Sequence, residues 1–246
     1  MALGEVRGRL QGTVKLSFII PAYNEEALLG RTLESVYTAA QAVAMPFEVL
    51  VVNDASTDRT AEIARARGAH VVDVACRQIA ATRNAGARAA TGDVFIFLDA
   101  DTLLPEAVLR AALRALEDGA MGGGARVRFD GLSPLGLRLF MVVFSFFYFT
   151  MMRWAAGCFI FVRRDAFEKA GGFDERYYAS EEIHLSKALK RQGRFVIVRE
   201  AVVTSGRKVR LYKVREALRP LWRILLHGRR GLQRREGLET WYDGRR

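Results

Sequence analysis

The chain has 246 residues, half of them apolar or aromatic and 26% charged, which suits one large domain or two small ones around a buried core. Two cysteines, Cys76 and Cys158, exclude a disulfide framework and stand at no zinc-binding spacing, so a reducing, cytoplasmic setting is expected. The net charge of +11 is concentrated at one end: residues 206–246 hold thirteen Lys/Arg against four Asp/Glu, leaving a nearly neutral body that argues against nucleic-acid binding there.

Residues 1–14 form an N-terminal extension without the apolar stretch of a secretory signal. From 15 to 118, continuous apolar runs at 16–20, 47–52, 70–72 and 94–98 predict strands covered on both faces. Stretches rich in Ala, Leu, Glu and Arg at 26–42, 58–67 and 78–90 predict the helices between them. Ser56-Thr57-Asp58 offers an N-cap signal, and Pro105 marks the start of a further helix. This β-α-β-α-β-α-β order implies an α/β fold with a mainly parallel sheet flanked by helices.

The second half, 119–205, opens on a Gly-Gly-Gly run and an alternating strand at 125–129. The uncharged run 139–152 holds fourteen residues, ~21 Å as a helix against the ~30 Å of a bilayer core. It therefore does not span a membrane. It is a buried helix, a helix lying in a membrane interface, or an aromatic contact in a homodimer, since Phe140, Phe144, Phe146, Phe147, Tyr148 and Phe149 crowd it. A strand at 158–162, a helix at 164–169, the turn Gly171-Gly172-Phe173-Asp174, a helix at 181–192 and a strand at 195–198 follow. The tail, 206–246, carries a helical stripe of Leu211, Val214, Leu218, Leu221, Trp222 and Leu225, interrupted at Pro220, with basic residues opposite. Such a tail suits peripheral contact with an anionic leaflet, or simple solvation.

In open α/β sheets ligands gather beyond the carboxyl ends of the strands. Here those ends read Pro21-Ala22-Tyr23-Asn24-Glu25-Glu26, Asn53-Asp54-Ala55-Ser56-Thr57-Asp58 and Asp99-Ala100-Asp101. Converging carboxylates repel unless a cation or donor groups intervene. A carboxylate pair at i and i+2 after a buried strand can reach a Mg2+ or Mn2+ ion, whose remaining ligands are phosphate oxygens. Alone, such a pair is equally a helix-capping feature.

Together with Ala81-Thr82-Arg83-Asn84-Ala85-Gly86, Gly92-Asp93, Gly157-Cys158-Phe159, Gly171-Gly172-Phe173-Asp174-Glu175 and Glu181-Glu182, these segments resemble, in order and spacing, the family 2 glycosyltransferases. The resemblance covers roughly 15–204. It implies a GT-A fold, that is, a Rossmann-like sheet with an acceptor-side subregion, and one catalytic domain over 15–205. It also implies inverting transfer from a nucleotide diphosphate sugar to a hydroxyl acceptor, free or lipid-linked, with Mg2+ or Mn2+ as cofactor. On that resemblance Pro21, Tyr23 and Glu25 line the nucleotide pocket and Asp54 meets the base. Arg83 lies near base or phosphates, Asp99 faces ribose and metal, Asp101 ligates the metal, and Glu182 is the general base. A single displacement needs the leaving diphosphate neutralised and one carboxylate to take the acceptor proton.

The chain departs from that pattern in three places. The family's usual Glu-Asp pair is Glu181-Glu182. Where a late histidine ligand is expected, the sequence reads Val202-Val203-Thr204-Ser205-Gly206-Arg207-Lys208, leaving Ser205, Arg207 or Lys208 to assist. The Gln-x-x-Arg-Trp motif of processive synthases is missing, which favours single addition. Two rival readings stay open: a catalytically silent membrane- or partner-binding module of the same fold, and a nucleotidyltransferase. The latter would carry a Gly-rich basic loop where Pro-Ala-Tyr-Asn-Glu-Glu stands.

Overall fold

The computed structural model describes residues 14–131 and 146–207. The extension through residue 13, the aromatics Phe140 and Phe144, and the tail from Lys208 onward lie outside the described residues. One mixed sheet holds eight strands: β1 (Leu16–Ala22), β2 (Phe47–Asp54), β3 (His70–Val74), β4 (Val94–Leu98), β5 (Thr102–Leu103), β6 (Ala120–Phe129), β7 (Phe159–Arg163) and β8 (Arg194–Thr204). Its order is β3-β2-β1-β4-β7-β6-β8-β5. Among the described residues six α-helices accompany it: α1 (Leu29–Val43), α2 (Thr60–Ala66), α3 (Ile79–Ala89), α4 (Glu106–Glu117), α5 (Arg164–Ala170) and α6 (Glu181–Gln192).

The predicted parallel half is β3-β2-β1-β4. The other half adds antiparallel joints at β4–β7, β7–β6 and β8–β5, with β6 and β8 parallel. Because successive strand residues point to opposite faces, the apolar runs feed two cores. Phe18, Ile20, Val49, Val51, Ile96 and Leu98 pack under α1 and α4. Ile19, Leu50, Val52, Phe95 and Phe97 pack under α3, α5 and α6.

Several boundaries move for physical reasons. Helix α1 begins at Leu29 rather than 26, because Glu25 and Glu26 are held in the loop. The Glu25 N–H donates to Thr60 Oγ1 (2.8 Å), and the Glu26 N–H to Asp58 Oδ2 (3.1 Å). The glycine run lies inside β6, where the two neighbouring backbones approach too closely for a side chain. A Cβ on Gly123 would collide with the Val196 carbonyl. The described end of the aromatic run is a π-helix, Phe146–Met151. Among the described residues no helix is long and apolar enough to cross a membrane.

At the opposite edge of the sheet, Glu48 accepts from Lys15 Nζ (2.8 Å), Ser17 Oγ (2.6 Å) and the Thr91 N–H (2.6 Å). Burial alone would raise its carboxyl, but these donors hold it down at about 2. Its contribution is therefore complete above the ordinary carboxylate range and disappears as pH falls through that of the folded state. Glu48→Gln is expected to lose about 2–3 kcal/mol in urea unfolding at pH 7. The difference from the parent chain should shrink toward zero near pH 2; a gap that stays constant with pH would contradict this.

Candidate active site

The carboxyl ends of β1, β2 and β4 carry the predicted residues, and α3 ties them together. Pro21 is buried in β1, and Tyr23 follows on the loop, half-buried. Asp54, 6% exposed, closes β2. Its Oδ2 accepts from Thr82 Oγ1 of α3 (3.0 Å) and its Oδ1 from the Arg77 N–H (2.9 Å). Arg77 adopts a left-handed backbone, φ 50°, and its guanidinium lies 4.3 Å over the Tyr23 ring. Tyr23, Asp54 and Arg77 thus form one corner of the cleft.

The next residue of α3, Arg83, is 2% exposed and sits at the centre of the site. Its Nη1 donates to Glu181 Oε1 (2.6 Å), and its Nη2 to Asp99 Oδ1 (2.9 Å) and the Gly157 carbonyl (2.7 Å). Burial would ease its proton off, but Asp99, Glu181 and Glu182 hold it more firmly protonated than usual. Its Nε is buried without a partner, so the fork serves the two carboxylates at the cost of one donor. Asn84 clasps Phe173 by both backbone groups (2.8 and 2.9 Å) and donates to Glu175 Oε1 (2.9 Å). Gly86 lets α3 lie directly on the sheet, since a Cβ there would strike Ile19 and Val52. The segment Thr82-Arg83-Asn84-Ala85-Gly86 is one full turn of one helix, whose successive residues reach Asp54, Asp99 with Glu181, Phe173 and the sheet.

Asp99, its side chain 34% exposed, opens a turn after β4. Thr32 Oγ1 of α1 anchors that turn at the Ala100 carbonyl (2.8 Å). The chain then enters β5, which pairs with the end of β8, Thr102 opposite Thr204. Consequently Thr204 Oγ1 lies 3.5 Å from Asp101 Oδ1, and the Ser205 N–H donates to the Asp101 carbonyl (3.1 Å). Two residues on, Arg207 Nη2 donates to Glu25 Oε2 (2.9 Å), a carboxylate 4% exposed. Glu25, Asp101 and Arg207 thereby share the mouth of the cleft.

Across from them, α6 starts at Ser180, whose φ of 67° turns Glu181 inward. Glu182 keeps part of its surface open, and its Oε1 accepts from the Tyr148 hydroxyl (3.3 Å). Burial first, and the neighbouring Glu181 second, push the Glu182 carboxyl up to about 8. The Tyr148 hydroxyl is raised too, by burial and by Glu182.

The donor set fits a divalent cation shared with a diphosphate. Asp99 Oδ2 has no protein hydrogen bond among the described residues, and Asp101 lies two residues on. The Cys158 thiol, raised by burial, is pushed further by Asp99 and Asp101, so both carboxylates lie near that sulfur. Among the described residues no group of three or more His, Cys, Asp or Glu is placed to hold a metal ion, so a cation on Asp99 and Asp101 would need its remaining ligands from a bound phosphate or water. His184 stacks on Tyr177 (4.0 Å between centroids) on α6, and His227 lies outside the described residues. Sequence reasoning passed over Arg77, which precedes a helix with no distinguishing neighbour. It named Tyr148 only as one aromatic of a crowd; neither had a spacing signal.

The profile of glycosyl transferase family 2 matches residues 17–171. Among curated proteins, the undecaprenyl-phosphate 4-deoxy-4-formamido-L-arabinose transferase of Klebsiella pneumoniae is 33% identical over 112 residues, 43% of this chain and 34% of that protein. The 4,4'-diaponeurosporenoate glycosyltransferase of Staphylococcus aureus is 49% identical over 59 residues, 24% of this chain and 15% of that protein. The chain thus spans about a third or less of the curated relatives it matches. The solved structure of PcManGT, a mannosyltransferase from Pyrobaculum calidifontis in complex with GDP-Man and Mn2+, superposes with a TM-score of 0.65 at 23% identity, covering 85% of this chain and 61% of that one. TarS 1–349 of S. aureus with UDP gives 0.60 at 20% identity, covering 78% and 60%. These likenesses establish the GT-A fold.

Proposed function

Since the chain belongs to glycosyl transferase family 2, we propose that it moves a sugar from a nucleoside diphosphate sugar to an acceptor hydroxyl, by one displacement that inverts the anomeric carbon. The observation that carries this reading is the Arg83 fork. It holds Asp99 of the donor half, 15–118, and Glu181 of the acceptor half, 119–205, within one charged cluster, which supports a role for the neighbouring Glu182 in the same site.

Tyr23 and Asp54, with Arg77 beside them, receive the base. Asp99 and Asp101 hold a Mg2+ or Mn2+ ion, which when bound neutralises the diphosphate charge as a Lewis acid. Arg207 stands where a late histidine is expected and supplies a fixed positive charge next to Glu25. The acceptor oxygen attacks the anomeric carbon, the bond to the diphosphate oxygen breaks, and the acceptor proton passes to Glu182. A hydroxyl needs such a base, whereas a phosphate acceptor is already ionised. The name of the Klebsiella relative supports a lipid as carrier of the acceptor, although the accepting group named there is a phosphate rather than the hydroxyl proposed here. With it goes peripheral membrane contact, for which the aromatic run and basic tail are suited. A single addition follows from the missing processive motif.

The test is release of nucleoside diphosphate from UDP-sugars and GDP-mannose by the purified chain with Mn2+ or Mg2+. Asp101→Ala is expected to reduce that release at least ~100-fold, as removal of a charge-stabilising group does, and chelation should match it in the parent chain. Turnover that survives both treatments would remove the metal from the account. No release with any donor, from a folded chain, would favour a silent module of the same fold.

A further inference from the structure

Among the described residues three large apolar side chains are exposed, and two of them are neighbours: Met151 at 56% and Met152 at 49%. They end the π-helix, and the chain then turns sharply through Arg153, whose φ of 51° is unfavourable for a residue with a Cβ. Arg153 Nη2 donates to the Phe195 carbonyl (3.1 Å), and Lys190 Nζ to the Met152 carbonyl (2.6 Å). Lys187 Nζ covers the Trp154 ring at 5.2 Å. The two methionines are thus held outward inside a rim of cations.

That rim lacks counter-charge. Arg153, Lys187 and Lys190 make no ion pair with any carboxylate among the described residues. Burial, with repulsion from Arg153 and Lys187, pulls the Lys190 ammonium below its usual value. A surface with apolar tips at its centre and unneutralised cations around them complements a bilayer whose headgroups are anionic. Thioethers enter the acyl boundary while the ammonium and guanidinium groups meet phosphates. A second copy fits poorly, because a two-fold contact would set the same cations against each other. A nucleic acid fits poorly as well, since the aromatic faces described there, Trp154 and Phe195, are capped by Lys187 and Lys190 and offer no ring for a base to stack on.

We propose that Met151 and Met152, with Arg153, Lys187 and Lys190, form the face by which the protein docks on an anionic lipid surface. This deepens the membrane contact suggested above, placing it at the end of the 139–152 run and on the cations beside it rather than on the aromatics or the tail. Its orientation relative to the acceptor rests on the transferase reading. Glu182, Ser186 and Lys190 form one row of α6 at i, i+4 and i+8, bonded in turn to Tyr148, the Ala155 N–H and the Met152 carbonyl. Eight residues of helix set the docking rim roughly 12 Å from Glu182, a reach that suits a reacting group held at a membrane surface.

The experiment is flotation of the full chain with vesicles of phosphatidylcholine mixed with phosphatidylglycerol, and with vesicles of phosphatidylcholine alone. The parent chain is expected to float with the anionic vesicles only. Met151→Ser combined with Met152→Ser should lower the partition coefficient roughly tenfold, from lost apolar burial. Lys187→Glu should lower it roughly 25-fold, a loss and a reversal at about fivefold per charge. Both variants should keep the parent's Tm and its nucleoside diphosphate release without lipid. The basic tail is present throughout, so variants that float like the parent would show that the tail alone binds and would overturn the proposal. Equal flotation with neutral vesicles, or retention on RNA in place of anionic vesicles, would overturn it too. If no donor is turned over while the flotation pattern holds, the transferase reading fails and the docking face stands.

Discussion

Replacing Glu182 with Gln is expected to slow acceptor-dependent release of nucleoside diphosphate by ~100- to 10,000-fold, the range for losing a positioned general base. Donor affinity, measured by calorimetry, should stay within about twofold, because Tyr23, Asp54 and the Asp99–Asp101 turn are untouched. In the parent chain kcat/KM reports the free protein's base, so its ascending limb should lie near 8 rather than in the ordinary carboxylate range. The same shift has a stability signature of definite sign. A carboxyl whose folded value is raised binds its proton more tightly in the native state, so stability falls as pH rises from about 5 through 8. Glu182→Gln should therefore gain on the parent over that window. A variant that loses turnover but shows no such gain would mean that Glu182 is not held as the buried, repelled acid described here. Unchanged turnover would end its assignment as base.

Arg83→Met is expected to destabilise the fold by about 3–5 kcal/mol, the cost of leaving the buried Glu181 carboxylate without its cation. The reason is geometric. One guanidinium reaches Glu181 at 2.6 Å and Asp99 at 2.9 Å while also donating to Gly157. Arg83→Lys retains the charge but cannot place two donors on two carboxylates, so it should recover only part of the loss. Adding Glu181→Gln to Arg83→Met should cost less than the sum of the two single changes, since the buried charge left behind disappears. Additive losses in urea unfolding would show that the pair does not act as a unit.

The parallel half of the sheet was legible because its strands are apolar on both faces and so read as unbroken runs. The acidic loops were legible because polar residues directly after such runs have few structural uses. The partners of those residues were not. The order Thr82-Arg83-Asn84 marked a site, but nothing in it told that Arg83 would donate to both Asp99 and Glu181. A two-residue strand such as β5 leaves no periodic trace. Its pairing with β8 depends on how the whole sheet curls, so the approach of Thr204 and Arg207 to Asp101 and Glu25 could not be foreseen. The glycines fall outside the strand expected at 125–129, because the reason for them in β6, a neighbouring carbonyl at close quarters, lies 73 residues away at Val196. Tyr148 was hidden among other aromatics, and its contact with Glu182 spans 34 residues.

The pairing of β5 with β8 also fixes when the cleft can exist. Glu25 meets its arginine only across 182 residues of chain, and Asp101 meets Thr204 only across 103. Closing loops of that length precedes any reward from the contacts they bring. While the chain is being synthesised, the first four parallel strands can zip together early, yet the mouth of the cleft stays half-built until the last strand is released and paired. A nascent chain stopped short of Thr204 would carry most of the recognisable motifs and lack the wall that closes around them.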